Sequence, residues 1–241
     1  MLPLTFAGWL LLGTAAFIGG FSKTALSGAA TAAVVLAALA LPAKESTAVL
    51  LVMLLAGDAW ALRTYWHDAD WRLLGRLLLP VVLGVAAGGV FLGRVDDGVL
   101  RRTIGVILLV LLVVGLLTRR HRPGAAEARA YGALAGFTTM VANAGGPAMS
   151  LYLLGARYGK LAFLGTTAWF FATVNLALKL PVMIGLGMMT RPVLLTGLVF
   201  VPVVWLGAWV GRIVVGRLDD VWFARLVTGF VVLSAVYLVL V

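Results

Sequence analysis

Four polar side chains in this sequence stand where their kind is costly. Lys23, Asp58, Asn175 and Lys179 lie within or beside long apolar runs. A charged residue at the centre of a bilayer costs at least about 2.5–3.5 kcal/mol on insertion scales, so it is rarely idle. Two buried ammonium groups would favour an oxyanion and partly offset its desolvation. The bland alternative is snorkelling, in which the long stem carries the charge to an interface. Asp58 is expected to pair with Lys23 or Arg63, or to carry a coupling proton. Asn175 occupies a similar place in the second half of the chain and could donate to a substrate or between helices. Thr166 and Thr167 add hydroxyl donors, unless they bond back to their own helix.

Two interruptions of apolar sequence accompany these residues. One is Gly19-Gly20-Phe21-Ser22-Lys23-Thr24, the other Asn143-Ala144-Gly145-Gly146-Pro147. Broken backbone at membrane depth is tolerated only where protein or a water-filled cavity surrounds it. Paired breaks in two halves of a chain point to a transporter's binding site. A helix start offers unpaired N–H groups and about half a positive charge, which suits an anion. Pro147 fits a first helical turn, where a missing N–H is harmless. Gly145 and Gly146 allow close backbone approach. Ser22, Thr24 or Ser27 could cap the helix that follows the first break. The competing reading is close helix packing through small residues, which is common in membranes.

The elements that must position these residues follow from composition. Of 241 residues, 63% are hydrophobic and 12% charged, and mean hydropathy is +1.09. A soluble domain carries about 25% charged residues. The length suits about six to eight spans of ~20 residues. The absence of cysteine excludes disulfides, a thiolate nucleophile and thiolate metal ligands. The start, Met1-Leu2-Pro3-Leu4, lacks the basic region of a cleavable signal peptide, so the first apolar segment is expected to be retained. The net charge of +10 sits mainly in short loops, where positive-inside topology accounts for it without nucleic acid.

Apolar stretches run over 4–21, 25–43, 47–62, 73–93, 103–118, 130–156, 161–187, 192–216 and 221–241. Arg119, Arg120, Arg122 and Arg129 make 119–130 the most basic connection, expected to be cytoplasmic. The halves repeat. Gly93-Arg94-Val95-Asp96-Asp97 returns 123 residues later as Gly216-Arg217-Leu218-Asp219-Asp220. Gly84 and Gly88 correspond to Gly207 and Gly211 at the same offset, and Gly20-Phe21-Ser22 matches Gly136-Phe137-Thr138 at 116. The segment 130–156 is too short for two spans at ~1.5 Å per residue and fits a re-entrant hairpin. The expectation is an all-α polytopic membrane protein. It comprises a first repeat (1–118), a basic cytoplasmic linker (119–130) and a second repeat (131–241). Each repeat is a re-entrant or broken helical hairpin plus three transmembrane helices. Three is odd, so the repeats are inverted and the C-terminus lies outside. Residues 4–43 are long enough for two thin spans, and eight full spans would remove the inversion.

The order of short motifs resembles the TauE/SafE sulfite exporter family. In the first half these are Gly20-Phe21-Ser22-Lys23, Asp58 and Asp70-Trp71. In the second they are Gly136-Phe137-Thr138-Thr139, Ala144-Gly145-Gly146-Pro147, Tyr152-Leu153-Leu154, Gly165-Thr166-Thr167, Phe170-Phe171, Asn175 and Lys179. The resemblance implies export or uptake of small sulfur oxyanions or organosulfur acids. One departure is Asn143, where this branch often has histidine. Asparagine cannot titrate as histidine does near neutrality, which puts proton coupling at that position in doubt.

The sequence thus points to a secondary transporter of sulfite, thiosulfate or organosulfonate class anions, working by alternating access in the cytoplasmic membrane, mainly as an exporter. The substrate site is expected to use Ser22, Lys23, Thr24, Asn143, Gly145, Gly146, Pro147, Thr166, Thr167, Asn175 and Lys179, with Asp58 and Arg63 as an ion pair or proton-coupling group. An anion channel, or a non-transporting subunit of a larger assembly, remains open. No cofactor or metal is expected: His67 and His121 lack partners at ligand spacing, and no Walker loop or catalytic acid pair is present. Expected partners are a small anion and the lipid bilayer, without nucleic acid; a homodimer is left open.

Overall fold

The computed structural model describes residues 1–96, 98–99, 106 and 123–229. The expected span 103–118, most of the linker cations and the end of the stretch 221–241 lie outside the described residues. Within them the chain is helical. The first half has α1 (Phe6–Thr24), a 3-10 turn (Ser27–Ala29), α2 (Ala30–Ala40), α3 (Ala43–Tyr65) and α4 (Trp71–Arg94). The second has α5 (Ala125–Ala142), α6 (Gly146–Gly155), a long α7 (Lys160–Gly185), α8 (Arg191–Val199) and α9 (Val201–Gly216). α7 carries a π-turn over Val174–Lys179.

α1, α3, α4 and α7 are long and apolar enough to cross a membrane; α8 and α9, bent by 43°, make a fifth span if counted as one. With 11 and 10 residues, α2 and α6 reach only about 15–16 Å, half a bilayer's hydrocarbon core. Each half therefore opens with a long helix, a break and a short helix. α5 already begins at Ala125, inside the stretch read as linker. Glu127 sits in its first turn and its carboxylate accepts the Gly124 N–H at 2.6 Å.

The first break is displaced from its expected place. Residues 19–24 are helical, and the chain opens only at Ala25 and Leu26 before the 3-10 turn. Gly20 does another job. A methyl group there would collide with the Val204 carbonyl of α9. This glycine lets two backbones touch, as small residues do between membrane helices. The second break falls where expected. Asn143 has φ 57° and ψ 21°, a left-handed conformation that asparagine tolerates better than most residues. Its N–H closes onto the Thr139 carbonyl at 3.0 Å, and that of Ala144 onto Thr138 at 3.2 Å.

The close approaches occur in pairs related by the sequence offsets. Gly20 meets Val204, and Gly136 meets Val81. Gly207 meets Phe17, and Gly84 meets Ala133. Gly211 meets Phe21 and Thr24, and Gly88 meets Phe137 and Met140. In each pair the α1 and α5 residues differ by 116 and the α4 and α9 residues by 123. α1 packs on α9 as α4 packs on α5.

Two apolar cores flank α3. One gathers Leu12, Ala16, Ala33, Leu50, Met53, Val193 and Phe200 from α1, α2, α3, α8 and the α8–α9 joint. The other gathers Leu51, Leu77, Val81, Met140, Met149, Phe163 and Met183 from α3 to α7. Outside them, Leu78, Leu79 and Leu83 on α4 and Leu195, Leu198, Trp205, Leu206 and Trp209 on α8 and α9 are exposed, as lipid-facing side chains of a spanning helix are.

Candidate functional site

The two breaks touch. Gly146, first residue of α6, lies so close to the Ser27 carbonyl that any Cβ there would collide with it. Beside this contact is a small, partly open cavity. Its wall has contributions from both halves, and three pairs again obey the 116 offset: Lys23 with Thr139, Ser27 with Asn143, and Ala30 with Gly146. Ser22, Leu54, Thr167, Ala168, Phe171 and Asn175 complete it.

Lys23 brings the charge. Its ammonium lies 2.6 Å from Asp58 Oδ1 and 4.7 Å from the centre of the Phe171 ring, in reach of a cation–π attraction. Asp58 Oδ2 accepts from Asn175 Nδ2 at 2.6 Å. Arg63 is exposed further along α3, so of the two expected partners Asp58 takes Lys23. Asp58 and Asn175, similarly placed in the two halves, bond to each other. The Asn175 carbonyl oxygen, buried with its residue 1% exposed, has no hydrogen-bond partner among the described residues.

Lys179 is fully buried but does not reach the cavity wall. Its ammonium donates to the Thr139 carbonyl and, at 2.5 Å, to Asn143 Oδ1. Asn143 Nδ2 in turn donates to the Thr47 carbonyl of α3 at 2.9 Å. Lys179 therefore sits on the C-terminal end of α5, where the helix dipole favours a cation; the Thr139 carbonyl it meets also accepts the Asn143 N–H. Asn143 fastens that end to α3.

Of the expected binding residues, Ser22, Lys23, Asn143, Gly146, Thr167 and Asn175 line the cavity. Ser22 and Thr167 turn their hydroxyls onto helix carbonyls, Gly19 for the first and Phe163 and Leu164 for the second. Thr24, Gly145, Pro147, Thr166 and Lys179 stand outside the wall. Thr24 donates to Ala208 of α9 at 2.7 Å, and its carbonyl accepts from the Tyr65 hydroxyl at 2.9 Å. Gly145 and Pro147 shape the turn itself, Gly145 packed against Ala135 and Thr139. Thr166 accepts the Asp70 N–H at 3.0 Å, in a clasp between the α3–α4 loop and α7. There Asp70 also caps α4 through Leu73 N–H at 3.0 Å and accepts from the Tyr158 hydroxyl. That hydroxyl holds the Asp70 carboxyl below the usual carboxylate range, and burial with the neighbouring carboxylate pushes the Tyr158 phenol up. The Trp169 indole donates to the Trp66 carbonyl at 3.0 Å.

Sequence reasoning passed over Leu54, Ala30 and Ala168 on the cavity wall. No type or spacing distinguishes these apolar residues from core. Thr139 and Phe171 stood in the quoted motifs without a role. The capping role of Asp70, a carboxylate just before an apolar helix, was readable from N-cap preference.

The family model described as sulfite exporter TauE/SafE matches residues 12–238, nearly the whole chain. No curated protein and no solved structure is matched by the chain.

Proposed function

The chain belongs to the sulfite exporter TauE/SafE family, and we propose that it carries a small sulfur-containing anion of the sulfite, thiosulfate or organosulfonate class across the cytoplasmic membrane. The family is one of membrane transporters, and the apolar helices make this a multi-pass membrane protein. The observation that carries the finer reading is the cavity at the meeting of the two breaks. Lys23 and Gly146, the first residue of α6, are on its wall, and a cation beside a helix start suits an oxyanion.

Alternating access is supported by the paired contacts. α1 on α9 and α4 on α5 are two versions of one interface, and a cavity lined by both halves is what two rocking repeats require. In this reading the repeats are inverted, the linker 119–130 is cytoplasmic and the C-terminus lies outside. Export follows from charge. With the interior negative, each anionic charge leaves downhill by about 2.3 kcal/mol per 100 mV.

The test is movement of radiolabelled sulfite, thiosulfate and a sulfonate by the purified protein in liposomes at imposed voltage. Saturable movement with counterflow, lost in Lys23→Met, is expected. Absence of movement for all three probes would overturn the reading, and unsaturated current without counterflow would replace the carrier by a channel.

A further inference from the structure

An anion site whose cation is neutralised by an adjacent carboxylate is self-defeating unless that carboxylate can be silenced. Asp58, which is not on the cavity wall, holds the Lys23 ammonium at 2.6 Å and the Asn175 amide N–H at 2.6 Å. The best donors of the wall are thus spent inside the protein. What Asn175 leaves unpartnered among the described residues is its carbonyl oxygen, a buried acceptor. An oxyanion arriving now would find the Lys23 charge already neutralised and the Asn175 N–H already given.

Resting on the transport reading above, we infer that anion binding is linked to uptake of one proton by Asp58, which releases the Lys23 charge and an Asn175 N–H to the anion. The proton goes to the Asp58 oxygen facing Asn175. The amide turns over, its oxygen accepts from the new carboxyl O–H, and its NH₂ takes the place the unpartnered oxygen holds. Lys23, no longer neutralised, keeps its position over Phe171 and faces the anion. Asp58 partners both Lys23 and the Asn175 N–H in the empty state, and the anion partners them in the loaded one. The Asn175 oxygen, unpartnered among the described residues when empty, then accepts the carboxyl O–H. Releasing Lys23 without the proton would leave a buried carboxylate unpaired, which is strongly unfavourable.

The surroundings leave this task to Asp58. From α1 it faces Lys23. From α7 it faces Asn175, and Lys179 further along is held by Thr139 and Asn143. α9 presents Val204 beside Gly57, and its Arg212 is exposed about two turns on. α8 and α2, which also pack on α3, bury only uncharged side chains, among them Val193, Thr196, Ala33 and Ala37. A divalent anion carried with one proton still leaves with one net negative charge. A monovalent sulfonate moves without net charge, so voltage dependence separates the two.

Thiosulfate and methanesulfonate are suitable probes because neither takes up a proton itself near neutrality. The reconstituted protein should move labelled thiosulfate together with protons, followed by a pH dye trapped in the liposomes. Apparent affinity should weaken by up to tenfold per unit rise in pH, the limit for one linked proton. Methanesulfonate movement should be insensitive to voltage. Asp58→Asn, a fixed image of the protonated state, should bind both anions with no pH dependence and carry no protons. Label movement by the wild type without protons would overturn the linkage and leave the transport reading standing. No label movement at all would overturn both. Should Asp58→Asn fail to insert, the wild-type proton count and the contrast between the two anions still decide.

Discussion

Removing either member of the Lys23–Asp58 pair should destabilise the empty protein, but the two losses should answer to anion in opposite ways. Lys23 has a side chain 8% exposed and Asp58 one 2% exposed, so each charge depends on the other. Breaking a buried pair by deleting one partner costs about 3–5 kcal/mol, because a buried charge is left uncompensated. At roughly 2–4 °C per kcal/mol for a chain of this size, Lys23→Met should lower the melting temperature by about 6–20 °C. Asp58→Asn should lower it similarly without anion, since the Lys23 ammonium then lacks its carboxylate. Thiosulfate should reverse most of the loss in Asp58→Asn by standing where the carboxylate stood, giving a larger thermal shift than in the wild type. It should do nothing for Lys23→Met. The double variant should regain most of the stability of the wild type, having no charge to bury, and should not respond to anion. The assay is thermal unfolding of the four proteins in detergent, with and without thiosulfate. Equal anion shifts in Lys23→Met and the wild type, or a double variant as unstable as the sum of the singles, would refute the coupling of pair and site.

Other perturbations address the frame around the site. Gly146→Ala places a methyl group against the Ser27 carbonyl. It should cost about 1–3 kcal/mol as overpacking and weaken anion binding by parting the breaks, while Gly185→Ala, with open space around it, should leave thermal unfolding and binding unchanged. At Asn143, alanine should be worse than glycine in thermal unfolding by about 1–2 kcal/mol. Both lose the bonds to Thr47 and Lys179, but only alanine also strains the left-handed backbone. Asp70, whose carboxyl is held low in the folded state, contributes stability above its unfolded value near pH 4 and loses it as pH falls through the folded value. Acid unfolding curves of Tyr158→Phe should therefore differ from those of the wild type at neutral pH and draw together as the pH falls below about 4 and through the lowered folded value. Cysteine at Arg120 should label only from the cytoplasmic side, and a tag appended after Val241 only from the other; labelling of both from one side would remove the inverted repeat.

Much of this arrangement was legible because duplication leaves a numerical trace. The offsets of 116 and 123 were read from short, unremarkable strings, yet they predict which glycine should meet which carbonyl. Gly20 on Val204 and Gly136 on Val81 are one contact made twice. The cavity lies among residues that obey the same rule, and six of the eleven residues expected to bind substrate are on its wall. The fate of the two lysines was not legible. Both are buried cations in apolar sequence, and only the fold reveals that Lys23 has a carboxylate and an aromatic face. Lys179 has a helix end.

The misplaced first break has a physical lesson of its own. Gly-Gly in an apolar run is consistent with a broken helix and with a helix that another backbone must touch, and glycine alone does not separate them. The second break carries independent signals: an asparagine able to hold φ 57°, and a proline suited to the first turn of the next helix. Nothing comparable follows Gly19-Gly20. Ser22 returns its hydroxyl to Gly19, and Thr24 reaches across to Ala208, so the helix continues to the last residue that α9 supports. Because α1 persists that far, Lys23 lies in its final turn and projects beside Asp58. A break at Gly19–Gly20 would have ended the helix a full turn earlier, without the framework that brings ammonium, carboxylate and amide together.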